Sequence, residues 1–373
     1  MEKKRAHILF LIAALLLSNV CNAQKLEQKF QHILDSTYQE NINAIGIMIH
    51  VESPNKNISW SSAVGFSNKK TKEKLNKNQP LLIASNTKTY VSATILKLVE
   101  NGILKLNQPI KKIIHRKTKR LLKNSGYNVT KITVKQLLSH TSGITDYVND
   151  AYFSFVKENP NHNWTRYEQI KLAMKMAKPI ESGKTFAYGD INYLLLTEII
   201  ESKTRKPFYT AIRELLEFKK HKLNNTWFVN LENKPKNTLP LAHQYSEKQN
   251  WDSYNINPSW DLYGGGGIAS TTKDLALFFQ LLFEGEIIKD KEVLKNIYTY
   301  VLPKEKSIYC LGIRRINFFR EATAYYHGGW WGTDVMYLPD YNTTISVFTL
   351  QKEKRELNAQ ISHQIINVLK NRI

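Results

Sequence analysis

Strand-like segments occur near both ends of this chain, and a long stretch of helices and loops separates them. Short runs rich in β-branched and aromatic residues, bounded by turn residues, are typical of strands. Two such runs precede the helical stretch and four follow it, at residues 44–51, 58–66, 309–316, 322–326, 334–338 and 343–350. Because a strand leaves its backbone groups unpaired until it meets a neighbour, we expect both sets to form one antiparallel sheet.

The rest of the chain is predicted to pack around that sheet. Apolar residues recur at helical spacing in residues 24–40 and 358–369, so a helix from each chain end is expected to flank the sheet. Residues 24–102 and 255–373 would form this α/β sheet domain, with residues 103–254 inserted as a mostly helical lobe. A ligand site is expected between the two units, where binding clefts commonly lie.

The first residues predict a signal peptide that is not part of the fold. Lys3, Lys4 and Arg5 precede an unbroken apolar run over residues 8–17, and the small-residue sequence at 21–23 follows. Cleavage after residue 23 would give a periplasmic or secreted protein. Two alternatives are an uncleaved membrane anchor, for which the run is short, and lipid modification of the cysteine at position 21. No later segment is apolar enough to cross a membrane, so no integral membrane partner is implied.

The chain is strongly basic, with 53 Lys and Arg against 32 Asp and Glu and a formal charge of +21. The densest cluster is residues 111–123, with the sequence KKIIHRKTKRLLK. One interpretation is a solvated helix face, and the other is a surface that attracts anionic cell-envelope polymers or phospholipid headgroups. Nucleic acid is not an expected partner, because no nucleic-acid-binding motif accompanies the charge.

No metal, cofactor or disulfide is expected. The histidines lack H-E-x-x-H or similar metal-binding spacing. Removal of the signal peptide would leave Cys310 without a partner, and we expect it to be a small buried residue in a strand. The glycine run at 264–267 is not followed by G-K-[ST], so a tight turn is favoured over a phosphate-binding loop.

Ser85 and Lys88 are the first candidates for catalysis. The sequence S-N-T-K places a hydroxyl and an amine three residues apart, on one face of a helix predicted for residues 85–101. A serine is a weak nucleophile until a base takes its proton, and a lysine can do so only if its pKa is lowered. Taken alone, Ser85 could equally be a helix cap. The same spacing also occurs elsewhere, at Ser53, Ser67, Ser154 and Ser270.

Two later motifs decide between these interpretations. Tyr188-Gly189-Asp190 and His327-Gly328-Gly329 follow S-N-T-K in the order Y-x-D and H-x-G. With them, the sequence resembles the serine β-lactamase and penicillin-binding DD-peptidase superfamily, most closely its class C-like branch. Residues 137–143 (LLSHTSG), 186–201 and 266–271 are similar to segments that flank the family motifs, so the resemblance spans residues 46–350. It implies a β-lactamase/transpeptidase-like fold.

The resemblance also implies roles for the catalytic residues. Ser85 would attack a carbonyl carbon and form an acyl-enzyme, and Lys88 and Tyr188 would handle its proton, either of them acting as the base. A tyrosine ordinarily ionises near pH 10, so Tyr188 needs a nearby positive charge such as Lys88 or His327. The plainer alternatives are a core tyrosine at 188 and an interior histidine at 327. His140, in the LLSHTSG segment, is expected to have a structural role in a turn.

Substrate binding is the other role that the resemblance implies. The backbone N–H groups of Ser85 and Trp330 would form the oxyanion hole, and Gly328 and Gly329 would let substrate lie along the strand edge. Asp190 departs from the family pattern, in which asparagine is usual. A carboxylate cannot donate a hydrogen bond to a substrate amide oxygen, and it would stabilise the protonated form of Lys88. We therefore expect Asp190 to disfavour β-lactams that carry acylamide side chains.

Two functions remain open at this point. The first is an exported serine hydrolase that acts on a small-molecule or peptide substrate, as a DD-carboxypeptidase-like peptidase or esterase rather than an efficient β-lactamase. The second is a non-catalytic envelope-binding module that uses the same cleft. The joint presence of Ser85, Lys88, Tyr188 and His327 favours the enzyme, because a binding module could lose any of them.

Overall fold

The structure is a computed structural model and describes residues 23–176 and 179–370. The predicted signal peptide lies outside these residues except for its last position. Within the described part, none of the helices has both the length and the apolar character that crossing a bilayer requires.

The described residues form eleven α-helices and eleven strands. The helices are α1 (residues 23–40), α2 (Thr87–Glu100), α3 (Arg116–Asn124), α4 (Val134–Leu138), α5 (Asp150–Glu158), α6 (Arg166–Ala173), α7 (Asp190–Thr204), α8 (Phe208–Leu215), α9 (Thr272–Phe283), α10 (Lys291–Lys295) and α11 (Glu356–Lys370). The strands are β1 (Gly46–Ser53), β2 (Ile58–Gly65), β3 (Leu81–Leu82), β4 (Trp227–Phe228), β5 (Tyr245–Ser246), β6 (Trp251–Asp252), β7 (Ile268–Ser270), β8 (Arg314–Phe318), β9 (Ala322–Gly329), β10 (Thr333–Leu338) and β11 (Thr343–Thr349).

Both ends of the chain contribute to a six-stranded sheet with the order β2-β1-β11-β10-β9-β8. Every neighbouring pair is antiparallel, including the long-range pair β1 and β11. This confirms the prediction of a single antiparallel sheet from the two sets of strands. A smaller sheet, β3-β7-β4, joins the segment before Ser85 to the segment after the glycine run.

Helices cover both faces of the large sheet. Along β1, the side chains of Ile47, Ile49 and Val51 belong to the cluster that includes the core residues of α1 and α11, whereas Met48 belongs to the larger core on the other face. This alternation follows from the two-residue repeat of a strand. The terminal helices therefore flank the sheet as predicted, and α9 packs on β1, β10 and β11 from the opposite side.

The largest differences from the predicted strand boundaries concern β8 and β9, whereas β1, β2, β10 and β11 differ by one or two residues. β8 begins at Arg314 and not at 309, because the chain turns at Gly312, whose φ is +81°. Cys310 is buried as expected, but it lies in this turn and not in a strand. β9 continues past 326 to Gly329, since its last residues pair with the start of β10. The H-x-G motif therefore lies on the strand itself.

Polar side chains cap helices α4 and α9. Thr133 and Gln136 form a capping box at the start of α4. Thr271 caps α9, and Ser270 before it is the last residue of β7. The division into a sheet domain and a lobe at 103–254 stays a prediction. Helix α2, assigned to the sheet domain, packs against α7 and α8 of the predicted lobe.

Candidate active site

Ser85 lies in a single 3-10 turn, Ala84–Asn86, immediately before α2. Ala84 has φ of 45°, in the left-handed region, which costs a non-glycine residue about 1 kcal/mol. The side-chain amide of Asn86 donates to the carbonyl oxygens of Ile83 at 2.9 Å and Thr333 at 3.2 Å. These bonds fix the turn against β10, and they leave Ser85 partly exposed between buried neighbours.

Lys88 is fully buried, and its ammonium group has three oxygen partners. It lies 3.0 Å from Ser85 Oγ, 2.7 Å from the carbonyl oxygen of Gly265 and 2.6 Å from Asp190 Oδ1. Burial lowers the pKa of Lys88, but the carboxylate of Asp190 and the hydroxyl of Tyr188 outweigh that effect and raise the pKa above its ordinary value. Lys88 is therefore a cation at rest, which is the consequence expected from Asp190.

Tyr188 lies beside the same ammonium group, with Lys88 Nζ 5.0 Å from its ring centroid. Burial raises the pKa of the Tyr188 hydroxyl, the charge of Lys88 lowers it, and Asp190 raises it again. Hydrogen bonding to Lys88 and Ser85 lowers the pKa further, but the net shift is upward. The phenol is therefore protonated at neutral pH, as a hydrogen-bond donor near Ser85.

His327 is buried on β9, and both of its ring nitrogens have partners. Nδ1 lies 3.1 Å from the carbonyl oxygen of Gly328, which can only accept, so Nδ1 carries the hydrogen. Nε2 then accepts from the hydroxyl of Tyr309 at 3.1 Å. Burial, followed by the positive charges of Lys88 and Arg314, holds the pKa of His327 well below its usual range. Because this imidazole is neutral, Lys88 and not His327 supplies the positive charge beside Tyr188.

The end of β9 packs directly on the turn that holds Ser85. A Cβ atom at Gly329 would lie 2.3 Å from the carbonyl oxygen of Ile83 and 2.2 Å from Thr333 Oγ1. A Cβ at Gly328 would meet the ends of flexible side chains, those of Arg355, Asp334 and Tyr326. This close approach brings the residue after the motif, Trp330, next to the nucleophile's turn.

Gly329→Ala is expected to lower the free energy of unfolding by about 1–3 kcal/mol, because a backbone oxygen must move to admit the methyl group. Urea denaturation measures the change, and activity should fall with it as the turn at Ser85 shifts. Gly102→Ala is the reference for backbone strain alone: no neighbouring atom lies within 4 Å of its Cβ position, but its φ of +69° should cost alanine about 1 kcal/mol. Equal stability of wild type and Gly329→Ala would contradict the packing described.

Two carboxylates that the sequence did not single out complete the surroundings of Lys88. Asp146 accepts from the backbone N–H of Ile191 at 3.1 Å, and Asp261 lies against Gly266, at which a Cβ would be 2.3 Å from its carboxylate. Burial and the like charge of Asp190 raise the pKa of Asp146 and of Asp261 to about 7. The glycine run is therefore a turn, as predicted, and its missing side chains make room for carboxylates.

His140 and Tyr309 lie behind Tyr188, and the sequence pointed only to the first of them. The ring of His140 is 4.3 Å from that of Tyr188 and 4.7 Å from that of Tyr309. Its Nδ1 accepts from the backbone N–H of Gly189 at 3.2 Å, and burial holds its pKa well below the usual range. His140 thus fixes the segment that carries Tyr188, which agrees with the structural role expected for it. Tyr309 was seen only as part of a strand.

The site is built from oxygen and nitrogen groups suited to acyl transfer. In the part of the chain that the structure describes, no cluster of three or more His, Cys, Asp or Glu side chains is placed to hold a metal ion. A partly exposed hydroxyl, a buried amine and a phenol meet where strand β9 ends, an arrangement that can activate a nucleophile beside backbone donors.

A family model for beta-lactamase matches residues 34–369. The chain belongs to the beta-lactamase family. It has the mixed fold of an antiparallel sheet and surrounding helices that the resemblance implied.

One curated relative and two solved structures illustrate what this beta-lactamase family member is similar to. It is 29% identical to protein Flp of Staphylococcus aureus over 217 residues, which are 58% of this chain and 38% of Flp. Two solved structures share the fold. The D-amino acid amidase of Ochrobactrum anthropi SV3 has a TM-score of 0.77 at 20% identity, covering 93% of this chain and 99% of the amidase. The D-stereospecific amidohydrolase of Streptomyces has a TM-score of 0.75 at 22% identity, and the match covers 92% of this chain and 98% of the amidohydrolase.

Proposed function

We propose that this protein is an exported hydrolase that cleaves an amide or ester bond next to a D-amino acid residue through an acyl-enzyme on Ser85. DD-carboxypeptidase-like peptidase, amidase and esterase activities fall within this class, and β-lactam hydrolysis would be weak. The main support for this proposal is the 3.0 Å contact between Ser85 Oγ and Lys88 Nζ. The names of the two similar structures, both D-specific amidohydrolases, support the choice of bond and stereochemistry.

The proposed reaction begins with the uncharged form of Lys88. The lysine takes the proton of Ser85, and the hydroxyl oxygen attacks the carbonyl carbon. The backbone N–H groups of Ser85 and Trp330 stabilise the resulting oxyanion, each contributing about 3 kcal/mol. Tyr188, protonated at rest, gives its proton to the leaving group and recovers it from Lys88. Water then hydrolyses the ester bond to Ser85.

Intact-mass spectrometry tests this proposal with a panel of D-amino acid amides and esters, D-Ala-D-Ala peptides, penicillins and a fluorophosphonate. We expect one adduct per chain, located on the peptide that contains Ser85. Preference for the D over the L form of one amide would support the substrate class. If no member of the panel acylates the protein, the proposal is wrong and the non-catalytic envelope-binding module becomes the better interpretation.

Asp190→Asn is expected to move the rising limb of the pH–rate profile to lower pH. The carboxylate of Asp190 is the main cause that raises the pKa of Lys88. A base acts only when deprotonated, so kcat/KM rises as pH passes the pKa of Lys88. Removing the carboxylate lowers that pKa, and activity at pH 7 should increase. An unmoved limb would show that Lys88 is not the base.

The same variant tests substrate preference. An asparagine at 190 can donate to the acylamide oxygen of a penicillin, and the carboxylate cannot. Penicillin hydrolysis should therefore improve relative to ester hydrolysis in Asp190→Asn. Equal or better penicillin hydrolysis by wild type would contradict the role given to Asp190.

Export is the remaining part of the proposal, and it rests on the sequence of the first 23 residues. The positive start and apolar run that precede the described fold support cleavage and release into the periplasm or medium. N-terminal sequencing of protein recovered from cell fractions tests this. A mature protein beginning at Gln24 is expected, and an intact N-terminus on cytoplasmic protein would contradict it.

A further inference from the structure

We propose that helix α3 and the cavity beside it form a binding site for a linear, phosphate-bearing polyanion. The cavity has a volume of about 520 Å³. Three of its six lining residues are basic, namely Arg116, Lys117 and Arg120, and the others are Leu121, Asn124 and, from α6, Tyr167. This volume is within the range of specific ligand sites. The surface shares no residue with the site around Ser85.

The arginines of this cavity have no acidic partner. Arg116 and Arg120 are four residues apart, so they point to the same side of α3, and both are exposed. Among the described residues, neither forms an ion pair. Two free guanidinium groups on one wall of a cavity match the bidentate geometry by which arginine binds phosphate.

The carboxylates nearest in the fold are already occupied. Glu198 is buried and accepts from the backbone of His115 and, at 2.8 Å, from the hydroxyl of Thr118. Glu201 pairs with Arg166. No Asp or Glu occurs from residue 111 to residue 124. The positive charge of this surface is therefore not neutralised from within the described fold.

Lys117 extends the basic surface into a second cavity. Its ammonium group lies 3.7 Å from the ring centroid of Tyr167, which holds the charge in place by a cation–π contact. Both residues also line an adjoining cavity of about 340 Å³, together with Arg166 and Glu198. Lys117 belongs to both linings, so a chain of repeated anionic groups can reach it from either cavity, whereas the carboxylate of Glu198 limits how far an anion enters the smaller one.

The chemistry favours a polymer over a membrane. A helix that lies on a bilayer inserts apolar side chains between the headgroups. None of the exposed large apolar residues in the described structure lies between residues 111 and 124. On α3, Leu122 is buried and Leu121 is half-buried, so the apolar side of the helix faces the protein.

Long-chain inorganic polyphosphate is the probe that tests the proposal. Binding to the full protein is measured by titration calorimetry between about 50 and 200 mM salt, because log K falls with log salt by about one for each phosphate contact. The variant is Arg116→Gln with Arg120→Gln. We expect affinity at the lowest salt to fall at least about tenfold, and the slope of log K against log salt to decrease by about two, one for each cation removed.

The matched control is Lys206→Gln with Lys289→Gln. It removes the same charge from two exposed lysines that pair with Glu214 and Glu286. Hydrolytic activity and circular dichroism should be the same for both variants and wild type. An equal loss of affinity in the control would show attraction to net charge alone and would overturn the proposal.

Two further measurements distinguish a phosphate polymer from free phosphate and from a phospholipid surface. Orthophosphate at the same total phosphate concentration should compete only weakly, because it can contact the arginine pair but cannot reach Lys117 and the second cavity at the same time. Full competition by orthophosphate would replace the polymer with a small anion. Binding to phosphatidylglycerol vesicles without binding to polyphosphate would assign the surface to a membrane and overturn the proposal.

Discussion

Ser85→Ala is expected to lower kcat/KM by about 10⁴- to 10⁶-fold and to leave the fold unchanged. The loss of a serine nucleophile that works with its base as a unit has an effect of this size, because only backbone donors and binding remain. The hydroxyl accepts from Lys88 at 3.0 Å and is partly exposed, so its removal creates no cavity. Steady-state kinetics with an ester substrate measures the loss.

Ser92→Ala is the matched control for that experiment. Ser92 lies on the same helix and is fully buried, and its hydroxyl donates to the carbonyl oxygen of Leu311 at 2.7 Å. This variant should lose about 1 kcal/mol of stability and keep its activity. Retention of the acyl adduct by Ser85→Ala, or loss of activity by Ser92→Ala, would show that the nucleophile has been assigned to the wrong residue.

Lys88→Met is expected to lower both activity and stability. Loss of the base lowers kcat/KM by about 10²- to 10⁴-fold. Methionine has a similar length, but it leaves the carboxylate of Asp190, whose side chain is 14% exposed, without its cation. Breaking a buried pair in this way costs about 3–5 kcal/mol, which urea denaturation at pH 7 measures.

The double variant Lys88→Met with Asp190→Asn separates the two effects. Neutralising position 190 removes the unpaired charge, so the double variant should regain most of the stability lost by Lys88→Met. It should not regain activity, because no base is restored. Recovery of activity in the double variant would mean that another group, with Tyr188 the first candidate, takes the proton of Ser85.

The motifs of the sequence named some of the residues that lie around Lys88, but not Asp146 or Asp261. Ser85 and Lys88 could be paired from their three-residue spacing, because a helical turn brings such positions together. Tyr188 and His327 could be added only through the resemblance to a family, since nothing local relates them to residue 85. In the structure, Lys88 lies beside the ring of Tyr188, and the strand that carries His327 packs on the turn of Ser85.

The protonation states could not be predicted with the same success. The sequence allowed either Lys88 or His327 to supply positive charge to Tyr188. Burial on β9 and the positive charges of Lys88 and Arg314 hold the pKa of His327 low and keep it neutral, and Tyr309 donates to its Nε2. Tyr309 precedes a turn that was predicted as strand, and its partner is a residue on β9. Such contacts depend on strand register, which no local pattern gives.

The sequence by itself determined the elements and their chemistry: one antiparallel sheet from both chain ends, the terminal helices, and the hydroxyl and amine of S-x-x-K. These follow from periodicity and spacing, which are local properties of the chain. Only the tertiary structure decided which charges surround Lys88, because Asp146, Asp190 and Asp261 come from three separate segments. Electrostatic interaction depends on distance and burial and not on sequence separation, so the pKa values of a site are fixed only when the chain has folded.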